Sequence, residues 1–90
     1  MEYIVRVIGV GTDFAKLFYI SDSLQCWLTT RRANAAVYYS IDGVKSAISQ
    51  GIEIIKRELE QFYHCKLEGI QVIKRVVNEE VIQTLKPSDI

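Results

Sequence analysis

The chain has 90 residues, 49% of them hydrophobic and 24% charged, and eleven Lys and Arg balance eleven Asp and Glu. These figures fit one domain and exclude disorder, collagen and a linker. A neutral chain has no global field to draw it onto DNA, RNA or anionic lipid, and its apolar runs are far shorter than the ~20 residues that cross a bilayer.

No basic segment precedes an apolar run at the N-terminus, as a secretion signal would require. Cys26 and Cys65 are too few for a disulfide framework and fit a reduced interior. The expectation is a cytoplasmic protein with no membrane span and no cofactor.

Tyr3 to Val10 (Y-I-V-R-V-I-G-V) is rich in β-branched residues and predicts a strand. Gly9-Val10-Gly11-Thr12-Asp13 is a turn signal, and Phe14 to Ile20 predicts the second arm of a hairpin. A glycine loop for phosphate would have to lead into a helix, so Gly9 and Gly11 belong to the turn. Leu24 to Thr30 predicts a third strand and Ala35 to Tyr39 a short fourth, joined by the polar Arg31-Arg32-Ala33-Asn34.

The period then changes. Val44, Ala47, Ile48, Ile52, Ile55, Leu59 and Phe62 recur at three- and four-residue steps, and at ~100° per residue they form one stripe. Asp42 is the expected N-cap of a helix over residues 43–64. Glu53 with Arg57, and Lys56 with Glu60, are spaced as i,i+4 pairs on its solvent side. Gly51 lies inside the stripe, so a leucine there should disrupt packing, whereas alanine should be tolerated. Ile70 to Val77 predicts a last strand. Val81, Ile82 and Leu85 follow Asn78-Glu79-Glu80, and their spacing slightly favours a short helix over a further strand. The expected fold is α+β: an antiparallel meander of four to five strands with one long amphipathic helix on one face, in the order β-β-β-β-α-β.

A helix of about 22 residues is ~33 Å long, whereas strands of five to seven residues span ~17–23 Å. Its end should overhang the sheet, with Phe62 and Tyr63 on the overhang. One helix covers one face of a sheet, and the alternation in the strands puts apolar side chains on both. Either the C-terminal Val81, Ile82 and Leu85 cover the second face, or another protein does. The candidate interface residues are Phe62, Tyr63, Ile8 and Ile73, in a homodimer or a complex with a target.

The alternative is a nucleic-acid or phosphate site. Arg31 and Arg32 flanked by Trp27 and Tyr38 combine cations for phosphates with aromatics for bases, as single-strand binding sheets do. Neutral composition argues against it. Cys26, His64 and Cys65 are the soft ligands, too few and badly spaced for zinc. A Cys–His nucleophile pair would lack an orienting partner, and the aspartates sit in turns or at a cap, so an enzyme is not expected.

The segments Phe18-Tyr19-Ile20-Ser21-Asp22, Cys26-Trp27-Leu28-Thr29, Asn34-Ala35-Ala36-Val37-Tyr38 and Ala47-Ile48 together resemble a pattern of small proteins from bacteriophages and mobile elements. In that pattern a strand bearing Trp or Tyr is followed by an A-x-V-Y/F strand and an amphipathic helix. The resemblance covers about half the chain. It implies a small ββ-α module of the kind found among accessory and inhibitor proteins, anti-CRISPR proteins included, that block host or defence machinery by binding it. It brings no catalytic or ligand motif.

Overall fold

The computed structural model describes residues 1–23, 25–75 and 80–90. Its elements are β1 (Glu2–Val10), β2 (Ala15–Ile20), β3 (Leu28–Thr29), α1 (Ile41–Tyr63), β4 (Lys66–Arg75) and β5 (Glu80–Leu85). All five strands form one antiparallel sheet in the order β3-β2-β1-β4-β5, with α1 packed on one face. The α+β class stands, but the chain order is β-β-β-α-β-β. Leu24 at the start of the expected third strand, Val76 and Val77 at the end of the last, and Asn78-Glu79 lie outside the described residues.

Three expectations about strands are corrected. The third strand shrinks to Leu28–Thr29, which pairs with Ile20 and Tyr19. The expected fourth strand forms two isolated bridges, Ser21 with Ala35 and Tyr3 with Tyr38. These fill a fork. β2 pairs with β1 only at Arg6–Val10, so the two strands part beyond Tyr19, and residues 35–38 bond to Ile20 on one side and Tyr3 on the other. A bridging segment that satisfies both strands cannot also run straight as a strand itself. Finally, residues 80–85 form a strand rather than a helix. Their spacing is ambiguous, and the free edge of β4 offers a ladder that an isolated turn of helix lacks.

β1 and β4, at nine and ten residues, are longer than expected, ~30–33 Å, which nearly matches the helix. The N-cap is Ser40, two residues ahead of Asp42. Its hydroxyl accepts from Gly43 N–H at 3.0 Å, and Asp42 falls in the first turn, where a carboxylate favours the positive end of the dipole. At the other end His64 adopts the left-handed conformation, φ 54° and ψ 40°, and the His64 and Cys65 amides both donate to the Leu59 carbonyl. Instead of the expected i,i+4 pairs, the ion pair on the solvent side is Lys56–Glu53 at 3.9 Å, between exposed side chains and worth little.

The core lies between α1 and the sheet. Val44, Ile48, Ile55 and Leu59 meet Val5, Val7, Phe18, Ile20, Ile70 and Val72, each contributing about 1.5–3 kcal/mol on burial. Two glycines allow close approach. A Cβ at Gly9 would sit 3.0 Å from both Leu59 Cδ2 and Phe18 Cε2. At Gly51 the Trp27 indole lies against the helix backbone: an added Cβ would be 2.6 Å from Cε3, 2.8 Å from Cη2, and closer still to Cζ3. This geometry argues against the expectation that alanine is tolerated at Gly51, because the added methyl group requires the indole to move.

Candidate functional site

The face of the sheet away from α1 is open, and the alternation of strand side chains decides what lines it. Tyr3, Val5 and Val7 point to the helix, which turns Ile4, Arg6, Ile8 and Val10 outward. The pairings extend this into rows. Val81, Ile73 and Ile4 form one row, Thr84, Gln71, Arg6 and Tyr19 the next, and Ile8 and Leu17 a third.

The first row is partly roofed. Ile4, Tyr19, Ala35 and Ile73 form a small second cluster with Val37 against it, and Ile73 is only 2% exposed. The middle row is polar. Arg6 donates through Nε and Nη2 to Gln71 Oε1, at 2.8 and 2.5 Å. Arg32 reaches back over Tyr19, its Nη1 3.4 Å from the phenol oxygen and its Cζ 5.7 Å from the ring centroid. A shallow cleft of about 230 Å³ lies between Arg6, Arg32, Ile73, Glu80 and Val81. Around this band Leu17 is 46% exposed and Val81 43%. The C-terminal segment does not cover the face, because β5 extends the sheet at its edge.

The four expected interface residues do not form one patch. Ile8 is half-buried on the open face and Ile73 is buried beneath the roof. Phe62 and Tyr63 belong to the helix end, on the other side of the sheet. Phe62 is in phase with the stripe yet 67% exposed. Tyr63 packs on Phe18, ring centroids 4.5 Å apart, with Lys16 Nζ 6.0 Å above its ring.

The four expected nucleic-acid residues are also divided. Arg32 lies over the open face and Arg31 is exposed in the loop, whereas Trp27 and Tyr38 are half-buried on the helix side. Burial raises the Tyr38 phenol above its ordinary value. Tyr19, the aromatic on the open face, is 7% exposed beneath Arg32.

A second hollow, about 460 Å³, opens between the loop before β3 and α1, beside Asp22, Cys26, Trp27, Tyr38 and Glu58. Sequence reasoning missed Glu58. It is 8% exposed, and its carboxylate accepts from Trp27 N–H at 2.8 Å and Leu28 N–H at 3.3 Å. The signal was present, because Glu58 stands three residues after Ile55 and seven after Gly51, inside the buried stripe. Burial, then Cys26 and Glu58, raises the Tyr63 phenol. Both carboxylate oxygens serve backbone amides, and His64 is outside this hollow. No cluster of three metal-ligating side chains occurs among the described residues. No helix among them is long and apolar enough to cross a membrane. The chain matches no protein-family model, no curated protein and no solved structure.

Proposed function

We propose that the protein is a non-enzymatic binding module that acts by protein–protein contact through the open face of its sheet. The observation that carries this reading is that α1 covers one face and β5 lengthens the sheet, so Ile8, Leu17, Val81 and the Arg6–Arg32 band stay accessible. Accessible apolar side chains beside arginine suit a protein interface, where arginine is enriched over the rest of the surface. An inhibitor of host or defence machinery, as the resemblance to small phage proteins implies, needs such a surface and no chemistry of its own.

Nucleic acid is the weaker reading. Stacking on bases requires exposed aromatic faces beside the cations, and here Trp27 and Tyr38 pack on the opposite side while Tyr19 is covered by Arg32.

The test is capture from host extract by the unaltered protein, by a Leu17→Asp/Val81→Asp variant, and by Lys45→Glu on the solvent side of α1. Partner protein retained by the first and third but lost by the second is the expected result. Equal retention by all three, or retention of nucleic acid alone, refutes the reading.

A further inference from the structure

The hollow between α1 and the loop before β3 measures about 460 Å³, within the ~300–1,000 Å³ of small-molecule sites. It lies on the helix side of the sheet, where Trp27 and Tyr38 pack against the main core. Its walls combine two kinds of group. Ile20, Ile54, Trp27 and Tyr38 supply apolar and aromatic surface, whereas Asp22 and Glu58 supply carboxylates. The described residues that line it include no lysine, arginine or histidine.

Glu58 is 8% exposed, and its two hydrogen bonds come from neutral donors, the Trp27 and Leu28 amides. No cation among the described residues pairs with it. A glutamate is seldom buried so deeply without a group that balances its charge. A carboxylate has about four lone-pair sites, and the two amides occupy only part of that capacity. Asp22 is exposed, and its carboxylate has no partner among the described residues. A bare metal ion is poorly matched to the hollow. No three metal-ligating side chains cluster among the described residues, and hydrocarbon and aromatic walls offer such an ion nothing.

We propose that this hollow binds a small organic ammonium ion with an apolar body. The cationic head donates to the free lone pairs of Glu58, with Asp22 as a second negative group. Trp27 and Tyr38 add the attraction of aromatic rings for a cation, and Ile20 and Ile54 receive the hydrocarbon part. Withdrawal from water strengthens the pairing of the head with Glu58 relative to a surface ion pair. An anion would meet two carboxylates, and a neutral ligand would leave the charge of Glu58 unbalanced. The hollow is on the opposite side of the sheet from the open face, so the proposal stands or falls separately from partner binding there.

Titration with phenethylamine tests the proposal, beside 2-phenylethanol, which has the same body without charge, and phenylacetate, which has the opposite charge. Trp27 is the chain's one tryptophan, so its fluorescence reports on the hollow, and the Trp27 and Leu28 amide resonances report on Glu58. Phenethylamine should saturate and bind about tenfold or more tighter than 2-phenylethanol, and phenylacetate should not bind. Glu58→Gln should weaken the amine about tenfold or more, and the exposed change Asp22→Asn about threefold. Neither should alter the response to 2-phenylethanol. The comparison of the three probes uses the unaltered protein, so it decides the matter even where Glu58→Gln fails to fold. No saturable response to phenethylamine up to about 10 mM overturns the proposal. So does a neutral alcohol that binds as tightly as the amine, or an amine affinity that both substitutions leave unchanged.

Discussion

Glu58 ties the helix to the short edge strand, and its removal has a calculable cost. The carboxylate accepts two backbone N–H groups, one at 2.8 Å and one at 3.3 Å, and Leu28 is 1% exposed. Hydrogen bonds to a charged group contribute about 1.5–3 kcal/mol each, and leaving a buried donor unpaired costs the desolvation of that donor as well. The shorter bond falls within that range, and the longer contributes about 1 kcal/mol. Glu58→Ala should therefore cost about 3 kcal/mol, a large share of the 5–15 kcal/mol typical of a small domain. Glu58→Gln keeps one acceptor oxygen and should cost about half as much. Glu58→Leu should not recover the loss, because the two amides stay unpaired whatever apolar area is gained. Urea unfolding gives the stabilities, and hydrogen exchange at the Trp27 and Leu28 amides reads the site directly. If Glu58→Ala costs under ~1 kcal/mol and both amides keep their protection, the carboxylate is not the tether described.

The Trp27–Gly51 contact gives a second test: Gly51→Ala should destabilise by about 1–2 kcal/mol through collision with the indole. In a Trp27→Ala background the same change should become stabilising by up to ~1 kcal/mol, as helix propensity dictates, and a thermal double-mutant cycle checks the change of sign. His64→Gly should stabilise by about 0.5 kcal/mol, since glycine accepts the left-handed conformation without strain but loses more chain entropy; denaturant midpoints report it. Alkaline pH supplies a fourth. The Tyr63 and Tyr38 phenols are raised above the ordinary 10.0, chiefly by burial, so the folded state holds those protons more tightly than the unfolded state. Stability should thus be level below pH 10 and fall above it, and Tyr63→Phe should flatten that decline in unfolding measured from pH 9 to 11.5.

Much of the architecture was readable from local pattern. The β-branched run from Tyr3 to Val10, the turn glycines and the 3.6-residue stripe of α1 each specify an element through contacts within a few residues. The stripe also held Glu58, which sequence reading passed over because a carboxylate is seldom buried without a partner. Its partners are the Trp27 and Leu28 amides, thirty residues upstream, and only the packed helix brings them together. The same holds for Gly51. Its spacing marked it as facing inward, but nothing local says that an indole rather than an aliphatic side chain lies against it.

What the sequence determined alone is the set of elements whose side-chain period matches one geometry: β1, β2, most of β4 and the helix. What tertiary structure decided is everything that depended on who the neighbour is. Residues 80–85 became a strand because β4 had a free edge, and residues 35–38 became a bridge because β1 and β2 diverge. Phe62 stayed exposed although its spacing puts it in the stripe. Period specifies which way a side chain points, whereas burial and pairing depend on what stands opposite, and for a chain this short that is settled by contacts distant in sequence.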